Sequence, residues 1–190
     1  MKMQKLPIGR SVFKEIRTED CCYVDKTSFV RQLFDDHSKY WFLSRPRRFG
    51  KTLFLDTLRA AFAGEKELFK GLFLEKNWDW SVKYPVVNIS FGRGTVTSAT
   101  MLDNAIYFTL NNCAAMYDIE LMAESIPERF EELIQKINKK FNLGLVVLVD
   151  EYDKPLLDNL TKENAEEIRE GLSSFYSVLK DADRYLKFVF

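Results

Sequence analysis

Four short runs of almost entirely apolar residues recur along this 190-residue chain, with longer amphipathic stretches between them. Runs that are apolar on both faces are typical of strands covered on both sides in a parallel sheet. We therefore predict an α/β domain with right-handed crossovers. No Pro-, Gly- or Ser-rich linker interrupts the pattern, so residues 1–190 are predicted to form one domain. The predicted strands cover residues 40–43, 86–90, 145–149 and 186–190.

Five helical patterns lie between or beside these runs. The first carries Phe29, Val30, Leu33 and Phe34 on one predicted core face. A helix after Ser125 has the spacing of a capping box, and Thr161 or a neighbour is expected to cap the last helix. The five predicted helices cover residues 26–34, 52–63, 98–116, about 126–141, and a stretch following residue 161.

Composition limits the class of protein. The 28 Lys and Arg balance the 28 Asp and Glu, so a surface wholly committed to nucleic acid or anionic membrane is not expected. Three cysteines without a paired motif support neither a disulfide framework nor a zinc site. The N-terminus has no signal-peptide core, and no run reaches the ~20 apolar residues of a membrane span. We expect a cytoplasmic protein without a membrane partner.

The strongest functional signal is the segment Arg45-Pro-Arg-Arg-Phe-Gly-Lys-Thr52, between a predicted strand and a predicted helix. Its second half matches the phosphate-binding template G-x-x-x-x-G-K-[ST], with Arg45 in place of the first glycine. Gly50 permits a sharp turn at the helix N-terminus, Lys51 can extend to the β- and γ-phosphates, and the Thr52 hydroxyl can bind Mg²⁺. The tripeptide alone also fits a chance helix start, so a second motif is needed.

That second motif is the run Leu145-Val-Val-Leu-Val149, which is followed by Asp150 and Glu151. A carboxylate at the end of a central strand can hold Mg²⁺, and its neighbour can orient or deprotonate the attacking water. We assign Asp150 to the metal and Glu151 to the chemistry. A buried strand ending in a solvated acidic turn is the plainer alternative, but the joint pattern favours nucleotide binding.

The chain resembles the AAA-ATPase-like family of bacteria and archaea, related to the AAA+ and STAND ATPases. The carrying segments are LPIG from residue 6, YVDKT from residue 23, SRPRRFGKT from residue 44, YPVV from residue 84 and VDEYDKP from residue 149. The resemblance implies an ASCE, AAA-like P-loop NTPase fold with three α/β/α layers and a mainly parallel central sheet. It makes Lys51 and Thr52 the Walker A residues and Asp150 and Glu151 the Walker B pair. It also places Tyr23 near the nucleotide base.

Family members continue with a sensor residue, a lid and often a restriction-endonuclease-like nuclease domain. We therefore expect an N-terminal fragment that ends in the presumed sensor strand, with DNA as a partner through the nuclease domain of the full-length protein. The sequence is compatible with an oligomer. We find no nuclease motif within these residues.

The predicted function is ATP binding with Mg²⁺-dependent hydrolysis. Glu151 and Lys51 are the predicted catalytic residues, and Thr52 and Asp150 the predicted metal ligands. Two alternatives stay open: a nucleotide-gated switch with little turnover, and a nucleic-acid-binding module that uses Arg45, Arg47 and Arg48. The predicted nucleotide-binding residues are Arg48, Phe49, Gly50, Lys51, Thr52, Leu53 and Tyr23.

Overall fold

The computed structural model describes residues 4–46, 48–92 and 94–190. Contacts divide the chain into two units, one formed by the residues before Val87 together with Phe188–Phe190 and the other by Val87–Lys187. Each unit is described by itself. The prediction of a single domain stays a prediction.

The first unit is built from α1 (Phe13–Thr18), α2 (Thr27–Asp35) and α3 (Lys51–Phe62), followed by short 3₁₀ helices at Lys66–Phe69 and Phe73–Glu75. Helices α1 and α2 both pack against α3. Its core is aromatic, with rings in contact at centroid separations from 4.8 to 6.3 Å among Phe34, Phe62, Trp78, Tyr84 and Phe188. The side chain of Trp78 is buried in this cluster.

The predicted strand over residues 40–43 is wrong in its extent. The described residues there form a single parallel bridge, in which Trp41 N–H donates to Val189 O at 2.9 Å and Val189 N–H donates to Lys39 O at 2.8 Å. The next two residues, Phe42 and Leu43, lie outside this bridge and instead line a cavity together with Trp41. The apolar run therefore serves a cavity wall and not the two faces of a sheet.

Three strands form a small parallel sheet in the order β1 (Val86–Ser90), β2 (Leu145–Asp150), β3 (Leu186–Val189). All three were predicted within one residue at either end. The central strand has no solvent exposure over Leu145, Val146, Val147 and Leu148. Burial on both faces explains why this run contains no polar residue.

The helices of the second unit are α4 (Ala99–Met116), α5 (Ile126–Phe141), α6 (Lys154–Leu157) and α7 (Ala165–Asp181). The three long helices α4, α5 and α7 pack against one another, and Phe130 stacks on Phe175 at 4.7 Å. Of these three helices, α5 also packs on β2. An α/β architecture with a small parallel sheet is therefore confirmed.

Helix ends follow the sequence signals with two differences. Ser98 caps α4, since its hydroxyl accepts from Met101 N–H at 3.2 Å. Ser125 occupies the cap position of α5, but its hydroxyl donates to the Glu128 carboxylate at 2.8 Å and accepts no backbone N–H. No side chain caps α7, so the predicted cap by Thr161 or a neighbour is wrong. Asn164 precedes α7, and its side-chain amide is used to bind Thr97 O.

Candidate functional site

Gly50 forms the turn into α3. Its backbone is left-handed, with φ 76° and ψ 22°, a conformation that glycine adopts without steric cost. The first helical hydrogen bond runs from Phe54 N–H to Gly50 O at 2.9 Å, and no side chain caps the helix. The N–H groups of Lys51, Thr52 and Leu53 therefore have no helical acceptor. An uncapped N-terminus of a 12-residue helix favours an anion.

The Lys51 side chain folds back over the loop that precedes it. Its ammonium donates to Arg45 O at 3.0 Å, so Lys51 and Arg45 lie together beside the turn at Gly50. Arg45, Arg48 and Thr52 are exposed. Arg47 lies outside the described residues. The predicted phosphate-binding residues from Arg48 to Leu53 are thus contiguous at the start of α3.

Tyr23 lies elsewhere in the first unit. Its hydroxyl is 3.4 Å from Thr57 Oγ1 on α3, and its ring meets Phe13 edge to face at 5.1 Å. Burial raises the pKa of Tyr23. It does not line the cavity described below, and its proposed contact with the nucleotide base stays a prediction.

Two other residues of the YVDKT segment have structural contacts. Asp25 accepts from Thr27 N–H at 2.8 Å and from Phe73 N–H at 2.7 Å. The Thr27 hydroxyl donates to Asp25 at 2.7 Å and accepts from Leu74 N–H at 3.1 Å, although Thr27 is fully buried. These bonds fix the start of α2 against the 3₁₀ helix at Phe73–Glu75.

A cavity of about 370 Å³ lies beside the turn at Gly50 within the first unit. One wall is a face of α2 and its N-cap, and the others come from the 41–45 segment, the start of α3 and Phe190. Gly50 and Arg45 belong both to this lining and to the loop around Lys51. The lining residues are Lys26, Phe29, Gln32, Leu33, Asp36, Trp41, Phe42, Leu43, Arg45, Phe49, Gly50, Phe54 and Phe190.

Sequence reasoning missed the polar part of this wall. It placed Phe29 on the core face of α2, whereas the structure buries Val30 and leaves Phe29 51% exposed. Residues 26, 29, 33 and 36 recur at three- and four-residue intervals, so they share one helix face. That spacing was a readable signal, but it does not distinguish a cavity wall from a core.

In the second unit, the predicted carboxylates stand at the end of β2. Asp150 is the last residue of the strand, and its carboxylate accepts from Glu151 N–H at 3.1 Å. Asp150 O accepts from Phe91 N–H at 3.2 Å, which joins this end of β2 to the segment after β1. A Cβ built on Gly92 would lie 3.5 Å from Glu151 Cγ. Glu151 is therefore held next to the loop that follows β1.

Three side chains that follow β2 hold the loop after β1. Lys154 Nζ donates to Gly94 O at 3.0 Å, Asn159 Nδ2 donates to Val96 O at 2.6 Å, and Asn164 Nδ2 donates to Thr97 O. Lys154 also pairs with Asp158, and Asn159 is fully buried. Lys154 of the DEYDKP segment and the two asparagines after it thus act as a clamp on this loop.

Tyr176 of α7 supports the turn at Glu151. Its hydroxyl donates to Tyr152 O at 3.3 Å. Burial, with a smaller contribution from the Asp153 carboxylate, raises the pKa of Tyr176. The phenol is consequently a neutral donor at physiological pH.

Backbone strain coincides with two predicted site residues. Among the described non-glycine residues, five have positive φ, and three of these are Asp20, Asp118 and Asn142, residue types that tolerate the left-handed region. The other two are Arg48, with φ 67°, and Glu151, with φ 54°. Unusual backbone conformations held by their surroundings concentrate at functional sites.

The family model described as "Predicted AAA-ATPase" matches residues 7–190. The chain belongs to the AAA-ATPase-like family. The AAA-ATPase-like chain is 48% identical over 190 residues to an uncharacterized protein in the vnfD 5′ region of Azotobacter chroococcum mcd 1. That match covers 99% of this chain and 37% of the relative, so the chain spans little more than a third of the relative's length. No solved structure matches the chain.

Two further observations concern the described ranges alone. No group of three or more His, Cys, Asp or Glu side chains in them is arranged to hold a metal ion. None of the helices in the same ranges combines the length and apolar character that a membrane crossing requires.

Proposed function

We propose that this AAA-ATPase-like chain is an ATP-binding module that supports Mg²⁺-dependent ATP hydrolysis on a three-layer P-loop fold. The observation that carries the proposal is the start of α3, where a left-handed Gly50 leads into an uncapped helix and Lys51 bends over the preceding loop. This arrangement occurs at the motif whose residue types suit a triphosphate. Membership of the family supports the same activity.

The residues of the first unit bind and orient the phosphates. The N–H groups at Lys51, Thr52 and Leu53 donate to phosphate oxygens, and the partial positive charge of the helix N-terminus adds to their attraction. The Lys51 ammonium exchanges its bond to Arg45 O for a bond to a β- or γ-phosphate oxygen. The Lys51 ammonium already lies at the loop, so nucleotide binding requires only that it exchange the Arg45 carbonyl for a phosphate oxygen.

The residues at the end of β2 supply the negative groups. Asp150 holds Mg²⁺ directly or through water, and Glu151 orients or deprotonates the water that attacks the γ-phosphate. Mg²⁺ usually retains several waters and takes only one or two protein ligands with phosphate oxygens. A cluster of three carboxylates is therefore not required for Mg²⁺.

Nucleotide binding is tested by thermal unfolding of the chain with and without ATP and Mg²⁺. At a ligand concentration about 100 times Kd, binding stabilises the native state by roughly 2.7 kcal/mol. For a chain of this size, that raises Tm by roughly 5–10 °C. We expect Lys51→Ala to lose this shift and Lys139→Ala, at an exposed lysine of α5, to retain it. An unchanged Tm of the unsubstituted chain in saturating ATP and Mg²⁺ would refute the proposal.

Hydrolysis is tested separately with Glu151→Gln in the full-length protein. This change keeps the size of the side chain and removes its basic group, so the Tm shift with ATP should persist while phosphate release falls by a factor of 10² or more. Equal phosphate release from both proteins would remove Glu151 from the chemistry.

Tight binding without multiple turnover in the unsubstituted protein would favour the nucleotide-gated switch. Binding of DNA or RNA that falls steeply with salt and survives Lys51→Ala would favour the arginine-based alternative.

A further inference from the structure

The cavity beside the phosphate loop has a composition suited to a flat, partly polar ring. Phe29 is 51% exposed and Phe49 is 61% exposed, although both side chains are apolar and both line the cavity. In the described part of the chain, neither ring stacks on another ring. The volume of the cavity, about 370 Å³, falls within the roughly 300–1,000 Å³ that small-molecule sites occupy.

The position of the cavity limits its occupant. Arg45 and Gly50 belong to the lining and also to the loop that surrounds Lys51. A molecule whose phosphates lie on that loop therefore has its remaining part next to the cavity. For a nucleotide, that part is the base, which stacks on aromatic rings whatever its identity because every base has a π-face.

The polar groups of α2 add selectivity. Gln32 of α2 and Asp36, the residue that follows the helix, both line the cavity. The Asp36 carboxylate accepts from Ser38 N–H at 2.9 Å and from the Ser38 side chain, and its two oxygens have lone pairs for a further donor. An ionised carboxylate accepts hydrogen bonds and does not donate them. It therefore favours a base with an exocyclic amino group over one with a carbonyl at that position.

We infer that this cavity binds the nucleobase, stacked against Phe29 and Phe49, and that Asp36 selects bases bearing an exocyclic amino group. This inference rests on the proposed nucleotide binding at Lys51. It assigns the base to residues of α2 and the phosphate loop and not to Tyr23, which lies outside the cavity lining.

The test compares ATP with inorganic tripolyphosphate, which offers the phosphates without a base, by calorimetric titration in the presence of Mg²⁺. Phe29→Ala should weaken ATP binding about tenfold, because loss of one base-stacking aromatic ring has this order of effect. Its binding of tripolyphosphate should be unchanged. Phe108→Ala provides the matched control, since Phe108 on α4 is 66% exposed and does not line this cavity. It should change neither affinity.

A second variant tests the cavity without removing a ring. Leu33→Trp places a large side chain in the cavity wall and should reduce ATP binding while tripolyphosphate binding persists.

For Asp36, the comparison is ATP with ITP, which carries a carbonyl in place of the amino group. We expect the unsubstituted protein to bind ATP about tenfold more tightly than ITP, and Asp36→Ala to bind the two within twofold of each other.

The outcomes separate this inference from the proposed function. ATP binding that is lost in Lys51→Ala but unchanged in both Phe29→Ala and Leu33→Trp would overturn the base site and leave the nucleotide proposal standing. Failure of the unsubstituted protein to bind either ATP or tripolyphosphate would overturn both. Equal affinity of the unsubstituted protein for ATP and ITP would overturn the assignment of Asp36. A change of oligomeric state in Phe29→Ala or Leu33→Trp, with ATP affinity intact, would assign the cavity to an interface between copies.

Discussion

The backbone at Glu151 predicts an unusual relation between stability and activity. Glu151 has φ 54°, a value in the left-handed region, directly after the buried strand β2. This conformation costs an L-residue roughly 1–2 kcal/mol and costs glycine almost nothing. Glycine in turn loses about 0.4–1 kcal/mol more conformational entropy on folding than alanine. The balance leaves a Glu151→Gly protein roughly 0.5–1 kcal/mol more stable than a Glu151→Ala protein.

The comparison of these two variants isolates the backbone contribution, because both lack the carboxylate. The free energy of unfolding is measured by urea denaturation without nucleotide, and thermal unfolding should place the Tm of the glycine variant roughly 1–4 °C higher. Neither variant should release phosphate from ATP in the full-length protein.

At a matched control position, the glycine variant should be less stable than the alanine variant. Glu170 is exposed in the middle of α7, where glycine is less favourable than alanine by about 1 kcal/mol. Glu170→Gly should accordingly be less stable than Glu170→Ala. The reasoning about Glu151 is refuted if its glycine variant is also less stable than its alanine variant by a similar amount. Phosphate release at the unsubstituted rate in either Glu151 variant would refute the catalytic assignment.

Three further predictions concern individual hydrogen-bonded side chains. Burial raises the pKa of Asp25, but hydrogen bonds, the largest from Phe73 N–H, outweigh it and hold the pKa below the usual 3.8. This stabilisation is present above pH 3.8 and is lost as pH falls through the lowered pKa, so Asp25→Asn should flatten the acid limb of a Tm-against-pH curve; an unchanged limb would contradict the assignment. Arg129 is 6% exposed and donates twice to Asn111 Oδ1, so Arg129→Ala should lower the free energy of unfolding by about 2–4 kcal/mol, and a loss below 0.5 kcal/mol in urea denaturation would disprove it. Asn159→Ala should cost about 1–3 kcal/mol and speed amide hydrogen exchange in the 94–97 loop, whereas exchange at the unsubstituted rate would show that the clamp does not hold the loop.

Local patterns determined most of the secondary structure. The strands around residues 86–90, 145–149 and 186–190 were predicted because an apolar run records burial on both faces in the residues themselves. The turn at Gly50 and the helix after it were predicted for a similar reason, since glycine and the following amphipathic period act within a few residues. The predictions of a strand over residues 40–43 and of the cap of α7 were wrong, because both features depend on partners distant in the chain.

The sequence by itself thus determined the α/β class, the turn at Gly50 before its helix and the position of two carboxylates after the central strand. Only the tertiary structure decided that Phe29 faces a cavity while Tyr23 is held by α3, and that Glu151 adopts a left-handed conformation beside Gly92. The physical reason is the range of the forces involved. Periodicity and capping act between near neighbours, whereas a cavity wall is assembled from residues as far apart as Lys26 and Phe190, and a strained backbone is maintained by packing that no local pattern encodes.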